Sequence, residues 1–180
     1  DALLTEAFAM LAGVPANERY NVRDYVAELA YRTGSLTLVG GQVLDLEGEG
    51  RSLSVDELRA VHMGKTAALI IASVRLGAMA AGATQEQLDA LTVYGRDLGL
   101  AFQIIDDILD ITSTPEVLGK SIGKDQKVQK ATYPALVGME KARAEARELT
   151  ASAQAALDVF SDKRREALLA INDYLLKRDY

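Results

Sequence analysis

The stretch AFQIIDDILDIT, residues 101–112, sets Asp106, Asp107 and Asp110 in an otherwise aliphatic run that contains no basic residue. A helix turns about 100° per residue, so with Asp106 at zero, Asp110 falls at about 40°, Gln103 at about 60° and Asp107 at about 100°. Gly99 shares this face, while Ile104, Ile105, Ile108, Leu109 and Ile111 occupy the remaining arc. Two like charges 4 Å apart repel by about 1 kcal/mol in water and about 4 kcal/mol at an effective dielectric of 20. Such a cluster therefore needs open solvent or a cation. A solvated acidic face is the bland alternative. A set made only of carboxylates suits Mg²⁺, which keeps several waters and is commonly shared with substrate phosphates.

Phosphate would need cations, and three further stretches bear on that. LGKSIGKDQKVQKATYP follows the aspartates and carries Lys120, Lys124, Lys127 and Lys130, with Gly119 and Gly123 loosening its backbone. Its bland alternative is a solvated loop. HMGKTAAL contains Gly64-Lys65-Thr66, but Arg59 stands where a phosphate loop needs glycine, and a helix has already begun at Ser54. The nucleotide-binding reading is therefore rejected, leaving a lysine and a hydroxyl side by side in a mostly apolar helix. A lysine laid over the core would look the same. In VGGQVLDLEGEG, Gln42 and Asp45 are three apart on one helix face. Acid near a helix C-terminus opposes the dipole, so Asp45 calls for a partner such as a lysine.

The elements that carry these residues read as helices throughout. One is expected at the start, DALLTEAFAMLAG, then others over 22–46, 55–81 and 85–112. Ser54 with Glu57 and Thr84 with Gln87 form the last two starts as capping boxes. A turn follows, with Thr114 as cap, Pro115 as first residue and Gly119 as stop. The lysine loop comes next, then helices over 133–159, entered through Pro134, and 163–177. Nothing alternates as a strand, so the fold class is all-α, a helical bundle in a single domain. The many helix glycines imply close helix contacts, and Gly99 alone is assigned to a site.

At 180 residues, 49% hydrophobic and a formal charge of −6, the chain can bury a real core and does not suit nucleic acid. It has no cysteine, which is compatible with a reducing cytoplasm. No signal peptide and no membrane span are read, because Arg75 interrupts the longest apolar run. A helix that begins uncapped at Asp1 predicts a preceding segment.

GGQVLDL, HMGKTAALI, GLAFQIIDDILD, LGKSIGKDQ and KATYPALVG, in this order, resemble the short-chain trans-prenyl diphosphate synthases, most closely the bacterial farnesyl diphosphate synthases. The resemblance spans essentially the whole chain. It implies a helical bundle of the isoprenoid synthase type, with Asp106, Asp107 and Asp110 as the second aspartate-rich motif holding Mg²⁺ on an allylic diphosphate. It also implies that Lys65, Lys120 and Lys130 contact diphosphate, that Thr66 and Gln103 line the path of a carbocation, and that Gln42 and Asp45 belong to the signature of the preceding helix. The implied reaction condenses an allylic diphosphate with isopentenyl diphosphate by ionisation, alkylation and proton loss, in a homodimer, with released diphosphate rather than a protein side chain as base. The lone His62 is read as structural. By the same resemblance, the first aspartate-rich motif and the basic residues for isopentenyl diphosphate would precede Asp1, making this the C-terminal part of a longer domain. His62-Met63-Gly64-Lys65 departs from the His-Arg-His-Lys common in bacterial farnesyl synthases. A non-catalytic helical subunit of a heteromeric synthase and a terpene cyclase are the competing readings. The aspartates and lysine loop speak against the first, and the Gly-Gly-Gln and Lys-Thr signatures against the second.

Overall fold

Cap chemistry sets the helix ends in the computed structural model, which describes residues 2–112 and 132–177. After α1 (Ala2–Ala12), Asn21 opens α2 (Val22–Thr33): its side chain accepts the Arg23 N–H at 2.9 Å and its own N–H donates to Asp24 at 2.8 Å. The expected helix over 22–46 is in fact two. α2 stops at Gly34, and the Thr37 hydroxyl donates to the Tyr31 carbonyl at 2.5 Å before α3 (Leu38–Gly48) begins. That side-chain bond takes the place of a helical one.

Ser54 and Glu57 form the expected box at the start of α4 (Val55–His62). A five-residue π turn, Met63–Ala67, joins α4 to α5 (Ala68–Ala80). Thr84 and Gln87 bond reciprocally, at 2.9 and 3.3 Å, ahead of α6 (Gln85–Thr112). The expected helix over 133–159 is also divided. Gly138, at φ 88°, separates α7 (Tyr133–Val137) from α8 (Met139–Ala156), which ends in a 3₁₀ turn, Leu157–Val159. That backbone region lies outside any right-handed helix and favours glycine. α9 (Asp162–Lys177) completes the described chain. The expected turn at Thr114, Pro115 and Gly119 lies outside the described residues.

α6 is the axis of the bundle, flanked by α8 and α5, with α2 outside α5 and α3 against the π turn. Leu91, Tyr94, Leu98, Ala101, Ile104, Ile105 and Ile108 of α6 join Ala142, Ala146 and Ala153 of α8 in the main core. The alanine stripe on α8 lets that helix approach closely. Tyr25, Met79, Ala83 and Leu88 form a second, smaller core. Among the described residues all regular structure is helical. Val55–Ala80 is long and apolar enough, by length and composition, to cross a membrane. Leu58, Val61, Ala67, Ala68, Ile71 and Ala72 are buried in the bundle, and Arg75 is held by Glu28 at 2.7 Å and Thr92 at 2.8 Å.

Candidate active site

The π turn is gripped from both sides by backbone. A Cβ on Gly41 of α3 would lie 2.7 Å from Gly64 Cα, and a Cβ on Gly99 of α6 would lie 2.6 Å from Ala67 Cα. Only glycine permits either approach. Gly99, expected to serve a site through its missing side chain, is thus explained by packing. Gly77, by contrast, has open space where a Cβ would go. The Ala68 N–H reaches back to the Met63 carbonyl, the wider bond of a π turn. Such turns concentrate at functional sites.

The crossing determines where Lys65 goes. Lys65 follows Gly64, Asp45 lies one helical turn beyond Gly41, and the two side chains form an ion pair. Asp45 is mostly shielded at 16% exposure, while Lys65 at 37% keeps access to solvent. This is the lysine partner that the sequence position of Asp45 calls for. Thr66, beside Lys65, is half-buried, and Gln42, one turn before Asp45, is exposed.

From Gly99 the same face of α6 continues through Gln103, Asp106 and Asp110. At 1.5 Å per residue, Gln103 lies about 6 Å, Asp106 about 10 Å and Asp110 about 16 Å along the axis from that contact. Gln103 and Asp106 are half-buried and Asp110 is exposed. Lys65 takes its charge partner from α3 and not from the aspartates of α6. Among the described residues, no three carboxylate, histidine or cysteine side chains converge into a ready-made metal cage. An open carboxylate face still fits a hard cation that completes its shell with water and phosphate oxygens. Asp107 differs from the other two. Its Oδ2 accepts the Tyr133 N–H at 2.7 Å and lies 4.0 Å from His62 Nε2.

Residue types alone did not bring forward the cluster behind Asp107. Tyr133 is fully buried, its hydroxyl accepts from Arg59 Nε at 2.9 Å and donates to Glu145 at 2.7 Å, and Arg59 and Glu145 are themselves ion-paired. His62 is buried at 4% exposure, its ring 6.4 Å from that of Tyr133. One signal was present: a tyrosine just before the helix-entering Pro134. Lys120 and Lys130, with Lys124 and Lys127, lie outside the described residues.

The polyprenyl synthetase family profile matches residues 1–168. The chain belongs to that family. Among curated polyprenyl synthetase relatives, it is 42% identical over 184 residues to the geranylgeranyl diphosphate synthase of Cyanophora paradoxa, covering 99% of this chain and 60% of the relative. It is likewise 42% identical over 184 residues to the farnesyl diphosphate synthase of Escherichia coli K12, covering 99% of this chain and 62% of that one. The crystal structure of geranyltransferase from Helicobacter pylori, complexed with magnesium and isoprenyl diphosphate, superposes with a TM-score of 0.82 at 31% identity. It covers 98% of this chain and 59% of the other. The fold is that of the isoprenoid synthases. The chain spans about three fifths of the length of these relatives.

Proposed function

We propose that this polyprenyl synthetase acts in prenyl transfer, condensing an allylic diphosphate with isopentenyl diphosphate to give a short-chain prenyl diphosphate such as farnesyl or geranylgeranyl diphosphate. One observation carries the reading. The Gly41, Gly64 and Gly99 crossing holds a lysine and a hydroxyl, Lys65 and Thr66, at one end of an α6 face whose far end carries Asp106 and Asp110.

In the reaction the allylic C–O bond breaks and the diphosphate leaves with the electron pair. The double bond of isopentenyl diphosphate then forms a new C–C bond to the cation, and loss of a neighbouring proton restores an alkene. Mg²⁺, bound at the aspartate face, would draw charge from the departing diphosphate. In this reading Asp106 and Asp110 would hold it. Lys65 supplies positive charge to the same leaving group, and Lys120 and Lys130 share that role in this proposal. Before substrate arrives, Asp45 keeps the Lys65 ammonium in place, so that little reorganisation is needed when a diphosphate competes for it. Thr66 and Gln103 give the path polar groups that are weak nucleophiles, which suits a cation that water would quench.

A second copy of the chain is the proposed partner. Val39, Val43 and Leu46 form an exposed stripe on α3, opposite the face that carries Gly41, and this apolar surface supports a homodimer.

The test is consumption of isopentenyl diphosphate by the full-length protein, supplied with an allylic diphosphate and Mg²⁺. Formation of a longer prenyl diphosphate is the expected result. Turnover of the allylic diphosphate alone would indicate cyclisation instead.

A further inference from the structure

Asp106, Asp107 and Asp110 read as one motif in sequence, yet their surroundings divide them. Asp106 and Asp110 are about 40° apart on α6, whereas Asp107 is rotated by a further 60° or so, toward α4 and α7. There its Oδ2 meets the Tyr133 N–H at 2.7 Å, with His62 Nε2 at 4.0 Å. Tyr133 is the first residue of α7, so its N–H belongs to the first turn, where no intrahelical acceptor exists. The preceding Thr132 makes no capping hydrogen bond, and Pro134 has no N–H of its own. Asp107 therefore acts as the cap of a helix 26 residues away in sequence. A carboxylate at a helix N-terminus is also the favourable sign for the helix dipole.

The donor itself is fixed. The Tyr133 ring is fully buried, and its hydroxyl is held between Arg59 of α4 and Glu145 of α8. Swinging Asp107 Oδ2 toward a cation on the Asp106 side would abandon a buried N–H whose neighbours cannot follow.

We propose that Asp107 is a positioning residue and not a metal ligand. It locks the carboxylate end of α6 to the Tyr133 hub, so that Asp106 and Asp110 alone face the Mg²⁺-diphosphate. What Asp106 and Asp110 bind rests on the prenyl-transfer reading, whereas the Asp107 lock rests on the contacts just described.

Two readouts test it separately: hydrogen exchange at the Tyr133 amide, and calorimetric binding of inorganic diphosphate with Mg²⁺. Asp107→Asn keeps an oxygen that can accept the amide hydrogen bond but loses the charge a metal ligand needs. It is expected to retain Tyr133 protection and to bind Mg²⁺-diphosphate within about threefold of the unmodified protein, while Asp106→Asn loses about tenfold or more. Asp107→Ala is expected to expose the Tyr133 amide to exchange at least about tenfold faster, with Asp106→Ala leaving it protected. Equal loss of Mg²⁺-diphosphate affinity in Asp107→Asn and Asp106→Asn would overturn the proposal. So would undiminished Tyr133 protection in Asp107→Ala. If the unmodified protein binds no Mg²⁺-diphosphate, the prenyl-transfer reading fails, and the exchange readout still decides the lock.

Discussion

The two halves of α6 treat carboxylates in opposite ways. Asp97, in the first half, is buried at 2% exposure, gripped by Arg96 at 2.6 and 3.1 Å and by the Ser152 hydroxyl at 2.7 Å. The bond to Asp97 also pushes the Arg96 guanidinium above its ordinary pKa. Nearby Tyr94 is pushed up to about 12 by burial, so its hydroxyl stays protonated and donates to the Leu168 carbonyl at 2.9 Å. Asp106, nine residues after Asp97, is half-buried on the face that runs from the π turn. The contrast separates two uses of one residue type: a carboxylate gripped by partners ties helices together, and one left half-exposed on a polar helix face is available to a ligand.

The sharpest way to break this comparison is Asp106→Ala. Turnover is expected to fall by about 10²–10³-fold, as for loss of one electrostatic contact to a leaving group. The thermal midpoint should barely move, and near-normal turnover would refute the ligand role. Gly41→Ala comes next, because the crossing is where structure and site meet. Overpacking against Gly64 should destabilise the protein by about 1–3 kcal/mol in urea titration and lower turnover of the folded fraction by displacing Lys65. Asp97→Ala is the mirror image of the first variant. It should cost about 1–3 kcal/mol by leaving Ser152 and Arg96 without their acceptor, with turnover of the folded protein kept. A Asp97 variant that is stable but inactive would erase the distinction between the two halves.

Glu28 extends the comparison to pH and carries the smallest effect. Burial pushes its carboxyl up, but the hydrogen bonds from Arg75 and Arg32 together outweigh burial and hold it below its ordinary 4.5. A carboxyl lowered on folding stabilises the protein above its unfolded pKa, and that contribution is lost as pH falls through the folded value. The acid limb of stability below about pH 4.5 should therefore be shallower in Glu28→Gln, measured by denaturant midpoints across pH. Equal slopes would show that the Arg75 and Arg32 contacts are not what keeps Glu28 ionised.

How far the sequence reaches varies with the kind of contact. α6 was legible at both ends, since Thr84 and Gln87 announce its start and the aliphatic period runs unbroken to Thr112. The all-α class followed from the same periodicity. Two long helices were read through breaks that depend on backbone, one at Thr37, whose hydroxyl takes the Tyr31 carbonyl, and one at Gly138, whose φ is positive. Neither event changes the hydrophobic period, so neither leaves a mark in it. Asp45 and Lys65 could be matched by charge. The partner of Asp107 could not, because a backbone N–H 26 residues away has no residue type.

The π turn, finally, acts as a phase corrector. Buried positions run Leu58, Val61, His62 and then Ala67, Ala68, Ile71, Ala72, so the core stripe waits five residues where an α-helix would wait three or four. Widening one turn absorbs that extra residue and brings α5 back into register with α6. Deleting a single residue within Met63–Ala67 would let an unbroken α-helix form with α5 in its present seat, since the buried positions would then recur every three or four residues, but it would remove the widened turn in which Lys65 and Thr66 sit. The extra residue is thus not required by the core, and the widened turn that carries Lys65 is the element that keeps the next helix facing the core in spite of it.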